Sequence, residues 1–313
     1  MNKNTNQIIK AFKNLGITIN TMVFQQAYNA CHYYLLNETQ MLKLSKSSLD
    51  GHKKQTTIQS LPLVPRIYAS GQIDISKEQY HYLITDYLQG TDLWEILPNL
   101  ANEQKYQIGK EIAKFLTELH QTKGETYDIG HYIPTIGNYK GTWKNGHLEY
   151  IESLKKDLAE IPLELESKTV ISKAFDYIKQ NIHTLDYQMG ARRLHNDFHP
   201  KNIIVNEGDI TGIIDWECSQ FGEPDFELAH LFHWCIYPTT PGHDLKMVLK
   251  GVVEYLPAFL NIPHIEKRLT IYQLEHELNQ LIWHGKNQEE ERINRLNGWL
   301  DGQINDLMKK WLQ

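Results

Sequence analysis

The spacing of apolar residues changes near Gly90. Before it, Ile8, Ile9 and Phe12 recur at helical intervals and predict a short amphipathic helix. The runs HYYLLN at 32–37 and TQMLKLSK at 39–46 then flank a two-residue connection, Asn37 and Glu38, which predicts a β-hairpin. A helix is predicted over 50–60. Beyond the Pro-containing LPLVP, the runs RIYAS at 66–70 and YHYLITDYL at 80–88 complete an antiparallel sheet with one helix. After Gly90, Ile108, Ile112, Phe115, Leu116 and Leu119 lie on one face of a core helix. Val170, Ile171, Ala174, Phe175, Ile178 and Ile182 predict a second, and Leu296, Trp299, Leu300, Ile304 and Leu307 predict closing helices. One hairpin interrupts this region: IIV at 203–205 and ITGIID at 210–215, joined by the turn sequence NEGD. The stretch 124–147, rich in Gly, Tyr and Lys, reads as a long loop. The pattern is α+β, with an antiparallel-sheet lobe over 1–87 and a mainly helical lobe over 88–313.

Composition narrows the classes. A chain of 313 residues is long enough for two lobes, and 41% hydrophobic with 22% charged residues fits a packed globular protein. A formal charge of -6 gives no basic field to gather nucleic acid phosphates, so no nucleic acid partner is expected. Cys31, Cys218 and Cys235 are too widely spaced for a disulfide framework or a zinc site. The first residues lack the apolar run of a signal peptide, and no run of about 18 apolar residues occurs. No membrane association and a cytoplasmic location are expected.

The second hairpin carries the candidate chemistry. Asp197 and Asn202 precede it, and Asp215 ends its second strand. A hairpin returns the chain to its starting edge, so Asn202 and Asp215 are expected at the same end, as oxygen ligands suited to Mg²⁺.

The spacing HxDxxxxN at 195–202, followed by IIDWE at 213–217, resembles the catalytic and metal segments of the aminoglycoside phosphotransferase and choline kinase-like superfamily. GEPDFELAHL at 222–231, FLTELH at 115–120 and YLITDYLQG at 82–90 extend the resemblance to about residues 24–231. It implies a bilobal protein-kinase-like fold and an enzyme that moves the γ-phosphate of ATP or GTP to a hydroxyl of a small molecule, an aminoglycoside or other antibiotic among them. By the same resemblance Asp197 accepts or orients the hydroxyl proton, and Asn202 and Asp215 hold Mg²⁺ on the phosphates. The resemblance also implies that Lys43, in QMLKL, contacts the α- and β-phosphates. The base lies against the backbone of Asp86, Tyr87 and Leu88. His195, Phe198 and Trp216 read as packing or loop-fixing residues, and His199 as either loop-fixing or close to the phosphates.

Three departures matter. The segment 24–36 holds no glycine, although Asn29 stands in a family-like place. The helix after Lys43 reads HKKQTTIQSL, without the acidic partner that the lysine has in the family. Gln55 is the expected neutral substitute, with Asp50 one turn earlier, or a weakened Lys43 contact, as alternatives. Asn196 stands where the family often has Gly, a change compatible with left-handed backbone. The motifs leave the acceptor open: a polycation would need carboxylates clustered on the last helices, where Glu275, Glu277, Glu289, Glu290, Glu291 and Asp301 are candidates. Alternative readings are a metabolic kinase of the choline or homoserine type and a nucleotide-binding module without catalysis. A protein kinase is disfavoured because GEPDFELAHL follows Asp215 too closely for a peptide-binding activation segment.

Overall fold

The computed structural model describes residues 3–28, 31–49, 52–132, 134–237 and 242–312. Asn29 and Asp50 fall outside that set. The chain forms two compact units, one of residues 1–93 with 201–217, the other of 94–200 with 218–313.

In the first unit, strands β1 (Met22–Tyr28), β2 (Cys31–Leu36), β3 (Gln40–Ser45), β4 (Ile67–Ile75) and β5 (Glu78–Asp86) pair antiparallel in the order β1-β2-β3-β5-β4. The connection between β2 and β3 is three residues, Asn37 to Thr39, one longer than expected: Asn37 (φ 49) and Glu38 (φ 64) are both left-handed, and the Thr39 N–H donates to the Leu36 carbonyl at 3.1 Å. Helix α1 (Lys3–Asn14) lays Ile8 and Phe12 on the face formed by Leu42, Leu44, Ile73 and Tyr82. Helix α2 (His52–Thr56) is shorter than the expected 50–60. After it, Thr57 N–H donates to the Lys54 carbonyl and Ile58 N–H to that of Gln55, so tight turns replace the α ladder. The β-branched pair Thr56 and Thr57 and the approach of Pro62 account for the early end.

The second hairpin belongs to the same unit. Strands β10 (Ile203–Asn206) and β11 (Asp209–Ile213) pair with each other, and β6 (Thr91–Asp92) adds along β10, giving the order β11-β10-β6. Gly90 (φ 129) makes this possible, since a methyl there would run into the Val205 carbonyl.

The second unit is mainly helical. The short α3 (Leu93–Ile96) leads into it, followed by α4 (Asn102–Leu119), β7 (Tyr127–Ile129), β8 (Ile136–Tyr139), α5 (Trp143–Ala159), α6 (Leu165–Asn181) and β9 (Arg192–Leu194). After the hairpin come β12 (Gln220–Gly222), α7 (Pro224–Ile236), α8 (Lys246–Tyr255), α9 (Pro257–Leu260), α10 (Ile265–His284), α11 (Glu289–Leu300) and α12 (Gln303–Leu312). The stretch 124–147 is not the expected long loop: β7 pairs with β8, and Trp143 opens α5, where Thr142 caps the helix by accepting from the Asn145 N–H. Helix α10 packs against α5, α6, α7, α11 and α12, and the run Leu269 to Leu278 is buried throughout, its polar members included. Gly109 and Gly251 let α4 and α8 cross closely; a methyl on either would strike a backbone carbonyl of the other helix.

Candidate active site

In the first unit, Lys43 projects from β3 beside Tyr33, its register partner on β2, with the ammonium 5.9 Å from the Tyr33 ring centroid. The ammonium donates to the Glu217 carboxylate and lies 3.6 Å from Asp215 Oδ1. Lys54 Nζ donates to the Glu217 carbonyl at 3.2 Å, anchoring the same segment. Burial pulls the Lys43 ammonium down, but Glu217 and Asp215 outweigh it and hold it above its ordinary value. Glu217 is pushed up to about 7, by burial first and then by Asp215, against the attraction of Lys43.

The hairpin places the other predicted oxygen ligand at the same end. Ile203 is in register with Ile213, and the Ile214 N–H donates to the Asn202 carbonyl at 2.9 Å, so Asn202 lies opposite the turn into Asp215. Asp215 itself is left-handed (φ 68) and half-exposed. Trp216 turns inward, its Nε1 donating to the Ile213 carbonyl at 2.8 Å. The Asn202 amide and the Asp215 carboxylate are hard oxygen donors that suit a divalent cation.

Gln55 does not join this cluster. Its amide donates to the Pro65 carbonyl at 2.6 Å, so the expected neutral partner of Lys43 serves instead to hold the connection before β4. The acidic partner comes from Glu217, two residues beyond Asp215. The signal was present in IIDWE, but a carboxylate so close to a metal-type Asp gives no indication in sequence of facing a strand far earlier in the chain. Asp86 N–H donates to the Arg66 carbonyl and Tyr87 N–H to that of Thr39. Of the three predicted backbone positions, Leu88 alone keeps an N–H outside these bonds. The Asp86 side chain accepts from Tyr68 Oη at 2.6 Å and from the Arg66 N–H at 2.8 Å, closing the edge of the sheet.

In the second unit, Asp197 sits on a loop held from behind. The carboxylate of Glu227, on α7 and fully buried, accepts the N–H of His195 at 2.5 Å and of Asn196 at 3.0 Å. Burial pushes Glu227 up to about 7, against the pull of those two donors. Asn196 is left-handed (φ 62), the conformation in which Asn replaces Gly most easily, and its amide donates to the Tyr132 carbonyl at 3.3 Å. The Asp197 N–H donates to Nδ1 of the buried His195 at 3.3 Å, and His199 Nε2 lies 3.5 Å from Asp197 Oδ1. Burial pushes the Asp197 carboxyl up, but the His199 contact outweighs it and the group stays below its ordinary value. Glu227 lies in the quoted GEPDFELAHL, yet nothing in that string distinguishes a loop clamp from a helix-face carboxylate.

Behind this loop, Asp225 forms a buried bidentate pair with Arg268 of α10 at 2.6 and 3.0 Å, and Arg268 also donates to the Thr184 and Tyr187 carbonyls. Among the described residues, His233, His276 and Glu277 bring three metal-type ligand atoms within 4.8 Å of one another. Glu277 is already paired with Arg292 at 3.0 Å, and Arg295 donates to His233 Nε2 at 3.0 Å, so two guanidinium groups oppose a cation there. Among the described residues no helix is long and apolar enough to cross a membrane.

A sheet unit with a part-buried strand lysine facing two carboxylates, and a mainly helical unit with a clamped Asp loop, fit the protein-kinase-like fold. The chain belongs to the phosphotransferase enzyme family APH, which it matches over residues 54–250. It is similar to acyl-CoA dehydrogenase family member 11 of Mus musculus, 23% identical over 211 residues, 66% of this chain but 24% of that protein. The chain therefore spans about a quarter of the length of the first curated relatives it matches. Hygromycin-B 4-O-kinase of Escherichia coli is 39% identical over 41 residues, 13% of this chain and 12% of that one. Among solved structures, a thermostable mutant of the aminoglycoside phosphotransferase APH(4)-Ia, in ternary complex with AMP-PNP and hygromycin B, superposes with a TM-score of 0.66 at 18% identity, covering 92% of this chain and 94% of that one.

Proposed function

We propose that the protein transfers the γ-phosphate of ATP or GTP to a hydroxyl group of a small molecule. The Lys43, Asp215 and Glu217 cluster is the observation that carries this reading. It supplies a fixed ammonium for nucleotide phosphates, with its own acidic partner despite the missing helix Glu, and that speaks against a non-catalytic module. Lys43 binds the α- and β-phosphates, and Glu217 keeps it extended along the strand. Asn202 and Asp215 would hold Mg²⁺, which when bound supplies charge neutralisation on the phosphate oxygens. The base takes hydrogen bonds from the backbone at Asp86 to Leu88, with the free Leu88 N–H as donor.

Asp197, held ionised, accepts the hydrogen bond of the acceptor hydroxyl and aligns its oxygen. The new bond joins that oxygen to the γ-phosphorus as the bond from phosphorus to the bridging oxygen breaks. The nucleoside diphosphate leaves, and the hydroxyl proton passes to Asp197 and then to solvent. A loose phosphoryl-transfer transition state needs alignment more than early deprotonation, which suits a carboxylate of low basicity. Eight residues, 216–223, separate Asp215 from α7, too few for a peptide-binding activation segment. A coupled nucleotide-consumption screen over aminoglycosides, other hydroxylated antibiotics and amino alcohols tests the proposal. Mg²⁺-dependent consumption stimulated by one class is expected; nucleotide and Mg²⁺ binding without turnover on any class sinks it.

A further inference from the structure

The acceptor class is open to a closer reading, which rests on the kinase assignment just made. A cleft in the second unit is lined by four imidazoles, His131, His230, His233 and His276, with Tyr132 and Trp234. It adjoins the catalytic loop. His199, which touches Asp197, lies with its ring 5.5 Å from that of Trp234, and the Asp197 charge acts on both His230 and Tyr132. The cleft has about 10 Å³ of free volume, room for one hydroxyl-sized group.

None of the cleft's side chains is a carboxylate. The buried carboxylates that surround it are each engaged from within the unit, although Glu277 Oε1, 3.5 Å from His233 Nδ1, has no hydrogen bond of its own. Glu275 is held by His147 at 2.8 Å, Glu277 by Arg292 at 3.0 Å, Asp225 by Arg268, and Glu227 by the two loop N–H groups. Of the other sequence candidates for a cation pocket, Glu289 accepts the Glu164 N–H and Glu291 pairs with Arg295, leaving Glu290 and Asp301 on the exposed surface. The residues of this unit outside the described set, Ile133, Pro238, Thr239, Thr240, Pro241 and Gln313, bring no side-chain carboxylate. Burial also keeps the imidazoles neutral, His230 and His233 down at about 3 and His131 and His276 below their ordinary value.

Several buried polar atoms lack a partner. Nδ1 of His131 and Nε2 of His230 are buried without a hydrogen bond, while Nε2 of His131 faces the Glu275 carboxylate at 3.9 Å. An unmade hydrogen bond in such a place is costly, so these nitrogens point to a ligand group that can both donate and accept, as a hydroxyl does. Trp234, partly exposed, with Trp94 at 5.0 Å and His199 at 5.5 Å between ring centroids, adds an apolar ring beside them.

We propose that the acceptor is a neutral or singly charged polyhydroxylated ring compound of the glycoside type, and not a polycation. One of its hydroxyls hydrogen-bonds His131 Nδ1 and His230 Nε2, and its ring packs beside Trp234. A polycation would find Asp197 at the loop, while Glu275 and Glu277 behind the cleft are already engaged by His147 and by two guanidinium groups.

The test measures kcat and KM of the full chain with ATP, GTP and Mg²⁺ against methyl and phenyl glycosides on one side and kanamycin and hygromycin B on the other, at low and high salt. The glycosides are expected to have kcat/KM about tenfold or more above the aminoglycosides, with little dependence on ionic strength. His230→Phe, which keeps the ring and removes the nitrogens, is expected to raise the KM for the glycoside about tenfold while the nucleotide KM stays unchanged. Preferred transfer to an aminoglycoside, with a KM that rises steeply with salt, overturns the inference and leaves the kinase assignment standing. Transfer to neither class, with nucleotide turnover intact, also overturns it. Loss of nucleotide turnover under every condition overturns the kinase assignment itself.

Discussion

Glu227→Gln separates what holds the Asp197 loop in place from what stabilises the fold. In the parent, two carboxylate oxygens accept two backbone N–H groups, those of His195 and Asn196. Glutamine offers one acceptor oxygen and turns an NH₂ group toward the other donor, so one charge-assisted hydrogen bond worth about 1.5–3 kcal/mol is lost and a donor faces a donor. The neutral amide also escapes the burial penalty that raises Glu227 from 4.5 to about 7, on the order of 3 kcal/mol at a pH above both values. The two effects nearly cancel in stability. They do not cancel in geometry, because the loop two residues before Asp197 loses its fixed register, and misplacement of a reacting group by about 1 Å costs roughly a hundredfold in rate. The expected outcome is a fall in kcat of about 100-fold, with nucleotide affinity within about threefold of the parent and an unfolding free energy within about 2 kcal/mol. Stopped-flow transfer, equilibrium nucleotide binding and urea unfolding measure the three quantities. A variant that keeps kcat within about threefold of the parent contradicts the clamp.

Other consequences are measurable separately. Arg268→Met leaves the buried Asp225 carboxylate unpaired and is expected to cost about 3–5 kcal/mol in urea unfolding, whereas Arg268→Met with Asp225→Leu should recover most of that loss. Gly109→Ala drives a methyl into the Val248 carbonyl where α4 crosses α8, and a loss of about 1–3 kcal/mol is expected; an unchanged unfolding midpoint argues against the close crossing. The buried imidazoles make the fold acid-labile. His120, His230 and His233 have folded values lowered from 6.5 to about 3, so their stabilising contribution is full above pH 6.5 and is lost as pH falls toward 3, by on the order of 1 kcal/mol per pH unit for each group. A thermal midpoint that drops steadily from pH 7 to pH 5 is expected; a flat profile contradicts neutral buried imidazoles.

Much of the architecture was legible because periodicity reports burial on one side. Strands β2 and β3, the β10 and β11 hairpin and helices α4 and α6 all expose one face and bury the other, and each was expected close to its place. Helix α5 and the β7–β8 pair were not expected, since Gly137, Gly141 and Gly146 give the segment a loop-like composition, although Gly137 lies within β8 and Gly141 and Gly146 pack against Tyr139 and Ile129. The short strand β6 depends on Gly90 and on the backbone of β10, a tertiary effect invisible in its own two residues. At the site, the residues tied to local chain geometry, Asn202 and Asp215, could be read from the hairpin. The partners reached across the fold could not: Glu217 for Lys43, Glu227 for the Asp197 loop, and the arginines that occupy Glu277 and Asp225. A carboxylate in a sequence carries no mark of whether a guanidinium has already claimed it, so the charge balance of the last helices left the acceptor unresolved.

The measurement that bears most directly on the central claim is phosphoryl transfer by Asp197→Asn, followed by mass spectrometry of the acceptor, beside Mg²⁺-dependent nucleotide binding by the same protein. Asn keeps the size of Asp197 and removes its charge, and none of the nucleotide ligands is altered. Loss of acceptor phosphorylation by about 100-fold or more, with nucleotide affinity preserved, is the predicted result. Phosphorylation at the parent rate would contradict the assignment of Asp197 and with it the proposed site of transfer.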